Sequence, residues 1–107
     1  SLFMWRKFFG KKAKIIGIEL NPEAKKLEKF GFQICIGDQS DPSFWKSFYK
    51  KYGKIDVLLD DGGHRNIQQI STFMESYNHI KANGKIYKLS INSPTSVSIF
   101  IFFLTRL

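Results

Sequence analysis

At 107 residues, 43% of them apolar and 16% aromatic, the chain is at most one small domain with apolar content sufficient for a core, which excludes a disordered chain. Its single cysteine, Cys35, excludes an internal disulfide framework, makes a reducing cytoplasm the default, and reads as a small buried hydrophobe on a strand. The net charge of +8 invites a nucleic-acid reading, but the lysines are scattered, as in EAKKLEK and SFYKKYGK, so a solvated lysine coat is the simpler account.

The chain opens with SLFMWRKFFGKK, whose charges follow its apolar residues, the reverse of a signal peptide. The stretch LFMWRKFF reads as the end of a helix. AKIIGIEL (13–20) is a continuous β-branched run of the kind a parallel strand needs when both its faces are covered. NPEAKKLEKFG (21–31) has a cap in Asn21, a first-turn Pro22 and a terminator in Gly31, with Ala24, Leu27 and Phe30 on one face. FQICI (32–36) is the next strand, ending at Gly37-Asp38. SDPSFWKSFYKKYG (40–53) repeats the helix grammar, and its stripe of Phe44, Trp45, Phe48, Tyr49 and Tyr52 predicts a core-facing helix.

KIDVLLD (54–60) is a third strand. A helix follows within 65–84, with Ile67, Ile70, Phe73, Met74, Tyr77 and Ile80 facing one way, and GKIYKLSI (84–91) is a fourth strand. The closing VSIFIFFL is too short for a membrane span, which takes about 20 apolar residues. Its strong β propensity leaves two readings: a strand added to an open edge or to a vacant centre, or an artefact of a truncated frame, which is favoured. The predicted class is α/β, a partial Rossmann-like parallel sheet with flanking helices. The division is 1–91 for this core and 92–107 for a divergent apolar tail.

Only nine carboxylates occur, and Glu19, Asp38, Asp60 and Asp61 all end apolar runs. In an open parallel sheet, ligands bind beyond the carboxyl ends of the strands, so these acids are expected on one rim. Like charges crowded there repel one another, which points to a ligand or cation.

IIGIELNPEA, IGDQSDPSFW, IDVLLDDGGH and IKANGKIY together resemble the class I S-adenosylmethionine-dependent methyltransferases, and among them the macrocin O-methyltransferase and cephalosporin-hydroxylase-like group. The resemblance runs from about Ser1 to Tyr87. It implies methyl transfer to a hydroxyl of a sugar or natural-product-like small molecule. It also implies that Glu19 accepts from the cofactor ribose hydroxyls, that Asp38 accepts from the adenine amine with the Gln39 backbone beside the ring, and that Asp60 orients the loop or cofactor. Asp61 is implied as a Mg²⁺ ligand and His64 as the general base, with Gly62 and Gly63 turning the backbone between them.

Plainer roles stand beside these: a solvated strand-end acid for Glu19, a turn organiser for Asp38 and a surface histidine for His64. His79 is read as a partner of a helix C-terminal dipole.

Two departures from the family pattern matter. The first strand, with its glycine-rich turn, has no counterpart here; it would lie between strands 13–20 and 54–60. No Asp or Glu follows Glu75 to complete a metal site. Activity is therefore not expected of this chain alone. The competing readings are a basic module binding nucleic acid, which is disfavoured, and a nicotinamide-binding Rossmann fragment, which lacks its glycine fingerprint. No membrane partner is expected, and the open sheet leaves self-association open.

Overall fold

The computed structural model describes residues 2–61, 66–88 and 98–103, with side chains for 2–60 and 67–87. Helix α1 (Leu2–Phe9) leads to β1 (Lys14–Glu19), a 3₁₀ helix (Pro22–Phe30), β2 (Gln33–Ile36), α2 (Pro42–Tyr52), β3 (Ile55–Asp61), α3 (Asn66–Ser76), β4 (Ile80–Lys88) and β5 (Ser98–Phe103). The strands form one sheet in the order β2-β1-β5-β3-β4. β1–β2 and β3–β4 are parallel pairs, as expected of an α/β fold with flanking helices.

The centre differs from an all-parallel sheet. β5 runs antiparallel to both β1 and β3, so the latter two are parallel to each other but separated by it. The apolar tail thus supplies the strand between 13–20 and 54–60. The hydrogen-bond ladder pins the register: Glu19 and Asp61 both face Ser98, and Gly17 and Leu59 both face Phe100.

Alternation along the strands divides the core into two layers. Ile15, Ile34, Val57 and Leu59 join Leu2, Ala13 and Phe32 beneath α1 and the 3₁₀ helix. Ile16, Ile18, Ile55 and Leu58 pack with Trp45, Phe48 and Tyr49 of α2 on the other face. The aromatic stripe of α2 is therefore core, as its periodicity predicts. Leu2 sits against the sheet where β1 carries Gly17: a Cβ there would lie 3.4 Å from Leu2 Cδ1 and 3.1 Å from Ile34 Cδ1. Arg6 fastens the end of α1, donating from Nη1 to the carbonyls of Gly10 (3.0 Å), Lys11 (3.3 Å) and Ala13.

The 21–31 segment forms a 3₁₀ helix, with Asn21 Oδ1 accepting from Glu23 N at 3.0 Å and Gly31 closing it at φ 92°. A nine-residue run in this conformation is long. Its side chains suit it. Ala24, Leu27 and Phe30 repeat every three residues, and residues i and i+3 eclipse in a 3₁₀ helix. The ion pairs Lys26–Glu23 and Lys25–Glu28 (3.4 Å) use the same spacing. Ala24 and Leu27 pack on the core, and the exposed Phe30 meets Phe3 edge-on at 5.2 Å.

The third helix corrects the sequence reading twice. α3 ends at Ser76 and gives way to a short 3₁₀ turn, Tyr77–His79. Ile80 becomes the first residue of β4, facing Ile55, instead of the last of a helical stripe. The fourth strand accordingly spans Ile80–Lys88, starting earlier than 84. Between the pairs Ile55–Ile80 and Val57–Lys85, one residue of β3 is matched by four of β4, the surplus being taken up around Asn83, whose φ is +67°. The expected apolar stripe exists, but Ile67, Ile70, Phe73, Met74 and Tyr77 are exposed, while Ser71, Thr72 and Ser76 are buried. The helix meets α2 through small polar side chains, Tyr49 of α2 donating to Ser76 Oγ.

Gly84 admits no side chain. A Cβ would stand 2.7 Å from the Asp56 carbonyl oxygen, 2.9 Å from that of Lys81 and 2.5 Å from Ile80 Cγ2. Gly84→Ala is expected to cost about 2 kcal/mol in urea denaturation, in the range of overpacking. An unchanged midpoint would show that the turn can open at no cost.

Candidate functional site at the strand-end rim

Because β1, β2, β3 and β4 all run one way, their carboxyl ends share an edge. Glu19 closes β1, half-buried, and its carbonyl accepts from Gly37 N at 2.9 Å. Asp60 and Asp61 close β3. Glu19 and Asp61 both face Ser98 across β5, two strand spacings apart, which puts their Cα atoms roughly 10 Å from each other.

Asp38 begins the turn into α2. Its Oδ1 accepts from Ser40 N (2.8 Å) and Ser40 Oγ (2.7 Å), and these two bonds hold its carboxyl below the usual carboxylate range. It is ionised at neutral pH. Its Oδ2 takes no donor among the described residues, so the turn-organising role and an outward-facing acceptor coexist on one side chain. Asp41, three residues on, caps α2 by accepting from Ser43 N at 2.9 Å.

Gln39 is buried and ties the rim to the helices. Its Nε2 donates to Thr72 Oγ1 (3.0 Å) and lies 3.4 Å from the Gln68 carbonyl and 3.5 Å from Asp60 Oδ1. Its own carbonyl accepts from Trp45 Nε1 at 2.8 Å. Asp60, also buried, is thereby held from the α2/α3 side of the sheet. Of the residues expected at the site, Glu19, Asp38, Gln39 and Asp60 come to one edge, with Gln39 and Asp60 in contact. The side chain of Asp61, and Gly62, Gly63 and His64 entirely, lie outside the described residues. Among the described residues no three histidine, cysteine or carboxylate side chains gather as a metal centre.

Sequence reasoning missed Gln68, Thr72 and Trp45 as supports of this rim. The signal was present: Gln68 and Thr72 are four apart, on the side of α3 opposite its apolar residues, and Thr72 Oγ1 donates back to the Gln68 carbonyl at 2.9 Å. His79 does more than end a helix. Its ring stacks on Tyr49 with centroids 4.1 Å apart, while Tyr49 donates to Ser76 Oγ at 2.6 Å. Burial holds the Tyr49 phenol well above its ordinary value, against the pull of that hydrogen bond, so it stays neutral.

An open cleft of about 760 Å³ lies elsewhere, along the outer edge of β2 beside Lys14, Cys35, Lys51 and Tyr52, and touches none of the rim residues. Cys35 is half-buried there, with its Sγ 3.6 Å from Tyr52 Oη. No helix among the described residues is long and apolar enough to cross a membrane.

No protein-family model matches the chain, and no solved structure matches it significantly. Curated proteins do. Mycinamicin VI 2''-O-methyltransferase of Micromonospora griseorubida is 29% identical over 84 residues, which are 78% of this chain and 21% of that protein. Demethylmacrocin O-methyltransferase of Streptomyces fradiae is 30% identical over 84 residues, again 78% of this chain and 21% of the relative. L-olivosyl-oleandolide 3-O-methyltransferase of Streptomyces antibioticus is 26% identical over 87 residues, 81% of this chain and 22% of the relative. The chain therefore spans about a fifth of the length of the curated relatives it matches. Over that segment the resemblance read from the sequence is borne out: the chain is related to the macrocin-type sugar O-methyltransferases.

Proposed function

We propose that this rim is the nucleoside end of an S-adenosylmethionine site, and that the chain is a segment of an O-methyltransferase acting on a hydroxyl of a sugar-like small molecule. The observation that carries it is the placement of Glu19, Asp38 and Asp60 on one edge, at the switch point where the helices following β1 and β3 take opposite faces of the sheet. In this reading residues 1–91 are the methyltransferase core and 92–107 a divergent addition to it.

The residues present fit the nucleoside. Glu19, at the strand end, carries the kind of carboxylate that accepts from ribose hydroxyls. Asp38 Oδ2 is open toward solvent and suits the adenine amine. Gln39 has its side chain committed to Thr72 and Asp60, so its backbone is held still beside the place the ring would take. When bound, the cofactor supplies a methyl group on a sulfonium, electrophilic toward an oxygen nucleophile. Asp60, fixed by Gln39, holds the β3 end in register with it. His64 takes the proton from the acceptor hydroxyl, an imidazole being suited to this near neutral pH. Asp61 is the residue that would hold Mg²⁺.

Calorimetric titration of S-adenosylmethionine into the chain is expected to saturate, and Glu19→Ala to weaken binding about 100-fold, since two hydrogen bonds to a charged acceptor are lost. Equal affinity in the two proteins would overturn the assignment of Glu19. Absence of saturable binding by a folded chain would overturn the claim that the rim binds without the rest of a longer enzyme.

A further inference from the structure

α3 is built inside out. The residues it turns inward are Ser71, Thr72 and Ser76, whereas Ile67 (62%), Ile70 (58%), Phe73 (49%) and Met74 (65%), with Tyr77 (63%) of the turn that follows, are left open to solvent. The outward residues are three or four apart, so they form one stripe along the helix, and Phe73 and Tyr77 touch at 5.6 Å between ring centroids. Together they present on the order of 600 Å² of apolar surface, the upper end of what an unpartnered soluble chain shows.

Charge decides what covers the stripe. The chain holds 17 lysines and arginines, and α1, the 3₁₀ helix and α2 each carry several. From Asn66 to Ser76 there is none, and Glu75 is the one acidic residue. Two copies of a chain carrying +8 repel through every lysine-bearing face. The α3 face is where they can meet without opposing cations.

We infer that the α3 stripe joins two copies of this chain about a two-fold axis, helix against helix. Such a contact is isologous: Ile70, Phe73 and Met74 lie near the axis, and Ile67 of one copy approaches Tyr77 of the other. Both stripes together remove about 1,200 Å² from water, the lower end of specific interfaces. A contact that uses the same face on each copy closes at the dimer and does not propagate.

Sedimentation velocity on the whole chain, over a wide concentration range, tests this. The expected result is a monomer–dimer equilibrium that tightens as salt rises, because added ions screen the repulsion between the lysine coats. Ile70→Glu and Met74→Glu are each expected to weaken dimerisation about 100-fold, since each places a charge in a desolvated contact. Both residues are exposed in the single chain, so circular dichroism is expected to show an unchanged fold. Phe8→Glu, on exposed α1 on the other face of the sheet, is expected to leave the dimer intact. A monomer at every concentration would overturn the inference and leave the stripe to another segment of a longer chain. So would growth without limit, or a dimer that survives both α3 substitutions.

Discussion

Deleting residues 98–107 is expected to abolish cooperative unfolding of the whole domain. Among the described residues β5 is the only strand bonded to both halves of the sheet; the β1–β2 pair and the β3–β4 pair have no ladder joining them without it. Its pairing runs from Ser98 to Phe103 on the β1 side and from Ser98 to Phe102 on the β3 side. Roughly ten ladder hydrogen bonds at about 1 kcal/mol each are at stake, comparable with the whole stability of a small domain. Near-ultraviolet circular dichroism through a urea titration reads the result. A truncated chain with the same sharp transition as the full one would mean that β1 and β3 pair directly, and that β5 is dispensable.

The second large effect is expected at Trp45. Its side chain is fully buried, stacked on Tyr49 with ring centroids 5.8 Å apart and met edge-on by Phe48 at 5.9 Å. Trp45→Ala empties the middle of the α2 layer and is expected to cost 3–5 kcal/mol, on the order of other large core truncations. It also strips the donor from the Gln39 carbonyl. Trp45→Phe narrows the comparison, since it keeps one six-membered ring in the layer and loses the five-membered ring that carries the N–H. A loss of about 1–3 kcal/mol is expected there, the cost of an unsatisfied buried acceptor. Equal losses in the two variants would show that the hydrogen bond, and not the packing, holds α2 in place.

The sequence was most legible where structure is local. Asn21 and Asp41 cap, Gly31 and Gly53 terminate, and the stripe of α2 faces inward, because each of these depends on residues within a turn or two. The rim was legible for a related reason. Strand ends can be read from apolar runs, and parallel crossovers then bring them to one edge. The repeat of three in Ala24, Leu27 and Phe30 was also in plain view, although an α-helix tolerates it as well as a 3₁₀ helix does.

What escaped the sequence depends on distant partners. Periodicity shows that α3 has an apolar face but not on which side its neighbour lies. The inner side is set by polar partners from elsewhere in the chain, Tyr49 meeting Ser76 and Gln39 meeting Thr72. Ile80 has the same helical spacing as Met74 and Tyr77, yet pairing with Ile55 takes it into β4. The β propensity of residues 98–103 was evident, but its direction is set by two ladders, one reaching back to Lys14.

The place of β5 bears on how the chain is made. The sheet's central strand is the last of the five to leave the ribosome, and its partners in β1 were synthesised some eighty residues earlier. Until it arrives, β1 and β3 each hold an open inner edge. Closure must wait for contacts of long sequence separation, which slows folding. During that interval the nascent chain offers two unpaired strands to any other extended segment nearby, so chaperone demand should persist until residues 98–103 have emerged and docked, and fall thereafter.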